Sequence, residues 1–167
     1  MRKTIFALIF MINSLFAFCD ILEEQDGFGK VTATTYCISE KGEAGIAVIN
    51  ESNILTLYLF EGSFHKEQVI NENYSHNIVK LAVDSKDAIE VQGIFNYRTA
   101  DYMMSIFLEE NAQDFLRRRE LLSIETETLD GPQVFNFIIK DFDKSKRYRS
   151  TEEYDRALEE KLEKLRK

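Results

Sequence analysis

Little in this chain can form a cross-link, hold a metal or interrupt a strand: its 167 residues include two cysteines, two histidines and one proline. Two cysteines allow at most one intramolecular bridge, so a disulfide-stapled scaffold is excluded. That bridge needs Cys19 to survive processing, because Cys37 is the only other thiol. Inside an apolar-leaning segment, Cys37 reads as a small buried hydrophobe rather than a reactive thiol. His65 and His76 have no cysteine or histidine at ligand spacing and lie outside any H-E-x-x-H, so no metal site is expected. Asp141 and Asp143 alternate like calcium ligands, yet the glycine and closing glutamate of such a loop are missing. A G-x-S-x-G elbow, a P-loop and a G-x-G-x-x-G turn are absent, which removes the sequence case for a hydrolase, nucleotide or dinucleotide site. The expectation is a non-enzyme without catalytic residue or cofactor.

What is present starts at the first residues. Arg2 and Lys3 precede an apolar run over 5–12 that continues through 15–18. A positive start, an apolar stretch and a small-residue exit mark a secretory leader, and the run is short for a membrane span. Ala17 and Cys19 satisfy the small-residue rule for a cut after Cys19, giving a signal peptide over 1–19. A cut after Ala17 would keep Cys19 in the mature chain. Lipidation of Cys19 is a third, less favoured route, because Phe18 before it is bulky. Either way the leader reads as bacterial and leaves no transmembrane span behind it. The protein is placed in the periplasm or outside the cell, with outer-membrane association as an option.

The chain carries a net charge of −8, and its C-terminal tail is mildly basic, so the acidic excess sits in the body over 20–139. Such a body repels phosphate backbones, and nucleic acid is not an expected partner. The basic residues Lys144, Lys146, Arg147 and Arg149 read as a solvated connector.

With 44% hydrophobic residues, the body can fill one core without cross-links. Over 54–60, Leu55, Leu57 and Leu59 fall on one face and Ile54, Tyr58 and Phe60 on the other. Both faces are apolar, which predicts a central strand. Over 78–84, Val79, Leu81 and Val83 alternate with Lys80 and Asp84, which predicts a half-buried strand. The same reading gives strands over 30–39, 45–50, 88–97, 102–108, 120–128 and 133–140. Turn chemistry at Gly42, Asn53, Gly62 and Gly131 separates several of them, and Pro132 is expected in the last of these turns. About eight strands with short links predict an antiparallel β-sandwich or barrel over 20–149.

Two segments break the alternation. Residues 109–119 place Ala112, Phe115 and Leu116 on one helical face, with acids first and Arg117, Arg118 and Arg119 last. Consecutive arginines on a helix point about 100° apart, so they read as a solvated end rather than an anion site. Over 150–167, Ser150 and Glu153 form a capping-box pattern, and oppositely charged pairs follow at i,i+4. Tyr154, Ala157, Leu158, Leu162 and Leu165 form a narrow stripe on that helix. The stripe must be buried, on the body or on a partner, so Tyr154, Leu158, Leu162 and Leu165 are the candidate partner-binding residues.

After the leader, the order runs from a valine-rich strand ending in Asp84, through a short helix at 112–118 and Glu120-Leu121-Leu122-Ser123-Ile124, to a phenylalanine-rich strand over 134–142. That order resembles the invasion-associated locus B type of secreted bacterial envelope protein, over 36–144. The resemblance implies an envelope-associated β-sandwich linked to host interaction, and it carries no catalytic residue. The chain departs from it in having Cys37 alone in the body. Two functions are therefore expected: a non-enzymatic module binding another envelope or host protein, or a carrier holding a small ligand or lipid in an apolar β-cavity.

Overall fold

The computed structural model describes residues 19–84, 86–117, 119–140 and 145–165. Residues 1–18, which carry most of the expected leader, together with Arg118, the acids Asp141 and Asp143, Lys144 and the last two residues, lie outside the described residues.

Alternation produces the strands it predicts. In β4 (Ile54–Leu59) the leucines at 55, 57 and 59 are buried, while Ile54, Thr56 and Tyr58 are half-buried on the opposite face. The same rule holds along most of β6 (Tyr74–Val83) and along β9 (Leu121–Thr128), and in the second half of β7 (Ile89–Asn96), β8 (Ala100–Phe107) and β10 (Gly131–Ile138). By contrast, β2 (Val31–Ile38) has adjacent buried residues and β3 (Ala44–Ile49) is buried on both faces over 44–48. Three strands go beyond the eight expected: β1 (Cys19–Gln25), β5 (Gln68–Val69) and β11 (Lys146–Tyr148).

All eleven described strands belong to one open, mixed sheet in the order β10-β9-β6-β7-β8-β4-β3-β2-β1-β11, with β5 beside β6. The mostly β architecture is as expected, but both finer alternatives are corrected: the described strands make one sheet where a sandwich has two, and that sheet does not close into a barrel. An all-antiparallel arrangement is corrected as well, since β1 and β11 run parallel. The sheet bends until the Glu40 N–H, at the exit of β2, donates to the Asn136 carbonyl of β10 at 2.8 Å. The chain leaving β10 is therefore already close to β1, and it enters beside β1 by crossing over rather than by a hairpin reversal.

Two turn assignments change. Pro132 is not in the turn after β9 but in β10, opposite Glu127. β10 ends the strand order, where a missing N–H removes no ladder bond. In the β3–β4 turn the left-handed backbone is at Glu51, with φ 65°, and not at Asn53.

The core lies inside the bend. Phe95, Phe135, Phe137, Leu55, Leu57, Met104, Leu122 and Ile124 are almost fully buried, each contributing about 1.5–3 kcal/mol from lost apolar exposure. Helix α1 (Ala112–Leu116) is shorter than the predicted 109–119. The Asn111 side chain caps it, accepting from the Gln113 and Asp114 N–H groups, and Ala112, Phe115 and Leu116 enter the core as their spacing predicts. Arg117 and Arg119 follow the helix instead of completing it, and Arg117 pairs with Asp114 at 2.9 Å.

Candidate binding groove beside the C-terminal helix

Helix α2 (Thr151–Leu165) begins where the S-x-x-E pattern places it, with the Tyr154 N–H donating to the Ser150 carbonyl at 3.0 Å. Its apolar stripe lies on the chain's own outer sheet face over β1, β2 and β11. Tyr154 is buried, with its ring 4.9 Å from that of Tyr36 and 5.8 Å, edge-on, from that of Tyr148. Leu158 and Ala157 are half-buried against the same cluster, which Leu22 of β1 completes. Leu162 and Leu165 are half-buried above Gly42, where a Cβ would come within 3.4 Å of Leu165. The four residues singled out for a partner are thus brought together, and they rest on the body.

Polar contacts fix the same docking. The Lys161 ammonium pairs with the Asp20 carboxylate, and both side chains are largely buried. Among the described residues, the second carboxylate oxygen of Asp20 has no hydrogen-bond partner. The Thr151 hydroxyl donates to Glu24 at 3.4 Å, and Arg147 of β11 pairs with Glu23 of β1. The basic connector is therefore partly a strand held on acidic β1. Burial, and next the Asp20 charge, push the Tyr154 phenol far above its ordinary range, so it stays neutral.

Cys19 opens β1 directly opposite Cys37 in β2, and the two form a buried disulfide. A lipid on Cys19 and this disulfide are mutually exclusive, because both use the same sulfur.

The helix covers only part of the face. Beside it, over β2, β3 and β4, a groove of about 340 Å³ stays open, lined by Tyr36, Ile38, Tyr58, Phe60, Tyr102 and Leu158. Gly45 of β3 lies beneath Phe60. A Cβ there would sit 2.9 Å from the end of that ring, so glycine lets the ring approach the strand. Burial raises the Tyr36 and Tyr58 phenols; the charge of Glu24 adds next to the first, and the neighbouring Tyr36 and Tyr102 to the second. Among the described residues, Asp155 is the only charged one on the lining. Two other hollows are polar: one near the 41–43 turn holds Lys41, Glu43, Glu61 and Asp130, and one holds Arg117 and Arg147.

None of the lining outside α2 was singled out from the sequence. A signal was nevertheless present, since Tyr58 and Phe60 make the second face of β4 apolar, and such a face needs a covering layer. Among the described residues no set of three His, Cys, Asp or Glu side chains comes together to hold a metal. His65 is exposed and His76 is half-buried on β6, and neither of them lines the groove. No helix among the described residues is long and apolar enough to cross a membrane. Comparison with protein-family profiles, with curated proteins and with solved structures finds no match.

Proposed function

We propose that this chain is an exported, non-enzymatic binding module of the bacterial envelope, and that it binds through the aromatic groove beside α2. One observation carries this reading. The core is filled by side chains such as Phe95, Phe137 and Leu122, whereas about 340 Å³ of apolar space is left unfilled at the groove. That volume is the size of a small-molecule site, and the hydroxyls of Tyr36, Tyr58 and Tyr102 give it the few polar groups such sites use for orientation. The chemistry available is enclosure and hydrogen bonding, not bond breaking. The ligand-carrier reading therefore moves from an interior cavity to the outer sheet face. The stripe of Tyr154 and Leu158, expected to be buried on the body or on a partner, serves here as the groove wall.

The neutral dye N-phenyl-1-naphthylamine tests the groove. Its fluorescence should rise on binding, and Ile38→Trp, which adds bulk to the groove from β2, should weaken binding by about tenfold in a protein that still unfolds cooperatively. Equal dye affinity in both proteins would refute the groove as the site. Envelope residence, which the resemblance to invasion-associated locus B proteins supports, is tested by cell fractionation; recovery in the cytosol would sink it.

A second reading rests on Phe28, which is 98% exposed at the tip of the β1–β2 hairpin. The Asp26 carboxylate accepts from the Phe28 and Lys30 N–H groups at 2.9 Å, so the tip is held in shape. A preformed loop presenting one bare aromatic ring suits contact with another envelope or host protein. Phe28→Ser should abolish co-purification of such a partner from envelope fractions, and unchanged recovery would count against it.

A further inference from the structure

We propose that the groove selects a small free organic cation, an alkylated ammonium, rather than a neutral or anionic apolar ligand. This deepens the binding reading above and rests on it. Four tyrosines and a phenylalanine contribute to the lining, among them Tyr58, Tyr102 and Phe60 outside the packed Tyr36–Tyr154 pair, and aromatic rings carry a negative quadrupole lobe on their faces. An ammonium whose hydrogens are replaced by alkyl groups sheds water easily and cannot demand hydrogen bonds, so an aromatic lining suits it. The charge pattern points the same way. Among the described residues, Asp155 is the only ionised side chain on the lining, and no lysine, arginine or histidine contributes to it. Glu24 lies near enough to Tyr36 to disfavour a negative charge on that side of the groove, whereas the Asp20 charge is taken up by Lys161. The positive end of α2 at Thr151 would favour an anion, but Glu152 and Glu153 in the first turn, followed by Asp155, offset it.

Charge is what separates the candidates. A phosphate-bearing lipid headgroup would bring its own negative charge against Asp155, which is why the assignment is to the free cation.

The test compares choline with 3,3-dimethyl-1-butanol, its uncharged carbon isostere, by titration followed in the tyrosine ring resonances of the intact protein. Choline should bind at least about tenfold more tightly than the isostere. Tyr58→Leu, which keeps the lining apolar but removes a ring face, should weaken choline by about tenfold and leave the isostere nearly unchanged. Asp155→Asn should weaken choline by about threefold, with the loss shrinking at high salt. Equal affinity for choline and its isostere, or no choline binding by a protein that still binds the neutral dye, overturns the cation assignment and leaves the groove reading standing. Failure of the dye as well overturns both. Tighter binding of phosphocholine than of choline overturns the free cation in favour of a lipid headgroup.

Discussion

Replacing Tyr154 with alanine should undock the C-terminal helix. Tyr154 is the buried residue of α2, and its ring packs between those of Tyr36 and Tyr148. Truncating a buried aromatic side chain to alanine costs about 3–5 kcal/mol, a large part of the roughly 5–15 kcal/mol that holds a domain of this size together. The neighbours are half-buried, so Leu158→Ala should cost less, about 1–2 kcal/mol. A helix of this length is marginal alone in water, so loss of docking means loss of helix. Circular dichroism should therefore show Tyr154→Ala melting about 10–15 °C lower. Amide exchange should be fastest in α2, β1 and β11, while β4, β7 and β8 stay protected. Tyr154→Phe keeps the ring and should behave nearly as wild type. An unchanged melting temperature with unchanged protection in α2 would refute these docking energetics.

Lys161→Met should cost about 3 kcal/mol in urea denaturation by leaving the Asp20 carboxylate buried without its cation, and adding Asp20→Leu should restore most of it; a double variant as unstable as the single would contradict this. The Asp84 carboxylate accepts from the Glu120 and Leu121 N–H groups at 2.7 and 3.1 Å, and these bonds hold its pKa below the ordinary carboxylate range. Its stabilisation is complete above the ordinary carboxylate value and is lost as pH falls through the lower folded value, so the acid-unfolding profile should flatten in Asp84→Asn. If both proteins lose stability identically below pH ~4, Asp84 is not the group responsible. Glu51→Gly should stabilise by about 1 kcal/mol, because φ 65° costs glycine nothing; a lower melting temperature would argue against it.

Strands whose residues alternate, such as β4 and β6, were legible because one face of each enters the core. The three strands that were not legible lack that pattern for separate reasons. β1 holds Asp20, Glu23 and Glu24 just after the apolar run over 5–18, and the acidity that reads as a solvent-exposed start is met by Lys161, Arg147 and Thr151 from far along the chain. β5 has only two residues, and β11 is a short charged run whose strand character comes from its neighbour β1. Pro132 was placed in a turn because local chemistry carries no information about which strand ends a sheet. The stripe on α2 was fully legible, whereas the surface beneath it was not, since Leu22, Tyr36 and Gly42 become neighbours of the helix only through sheet order. The groove was hidden for the same reason, although the two apolar faces of β4 already required a second layer.

The parallel pairing of β1 with β11 sets an order of events for the growing chain. Asp20 lies opposite Lys146 and Ile21 opposite Arg147, so β1 completes its hydrogen bonding only after β11, far along the sequence, has been made. Hairpins such as β6–β7 and β9–β10 close over short loops and can form early, whereas β1 waits for a contact of very high sequence separation. Until β11 and α2 arrive, Leu22 and Tyr36 stand bare to water, an interval in which aggregation competes with folding. The groove, one wall of which is Tyr154 and Leu158, is complete only once α2 has docked, so a compound that occupied it would report the docking of that helix.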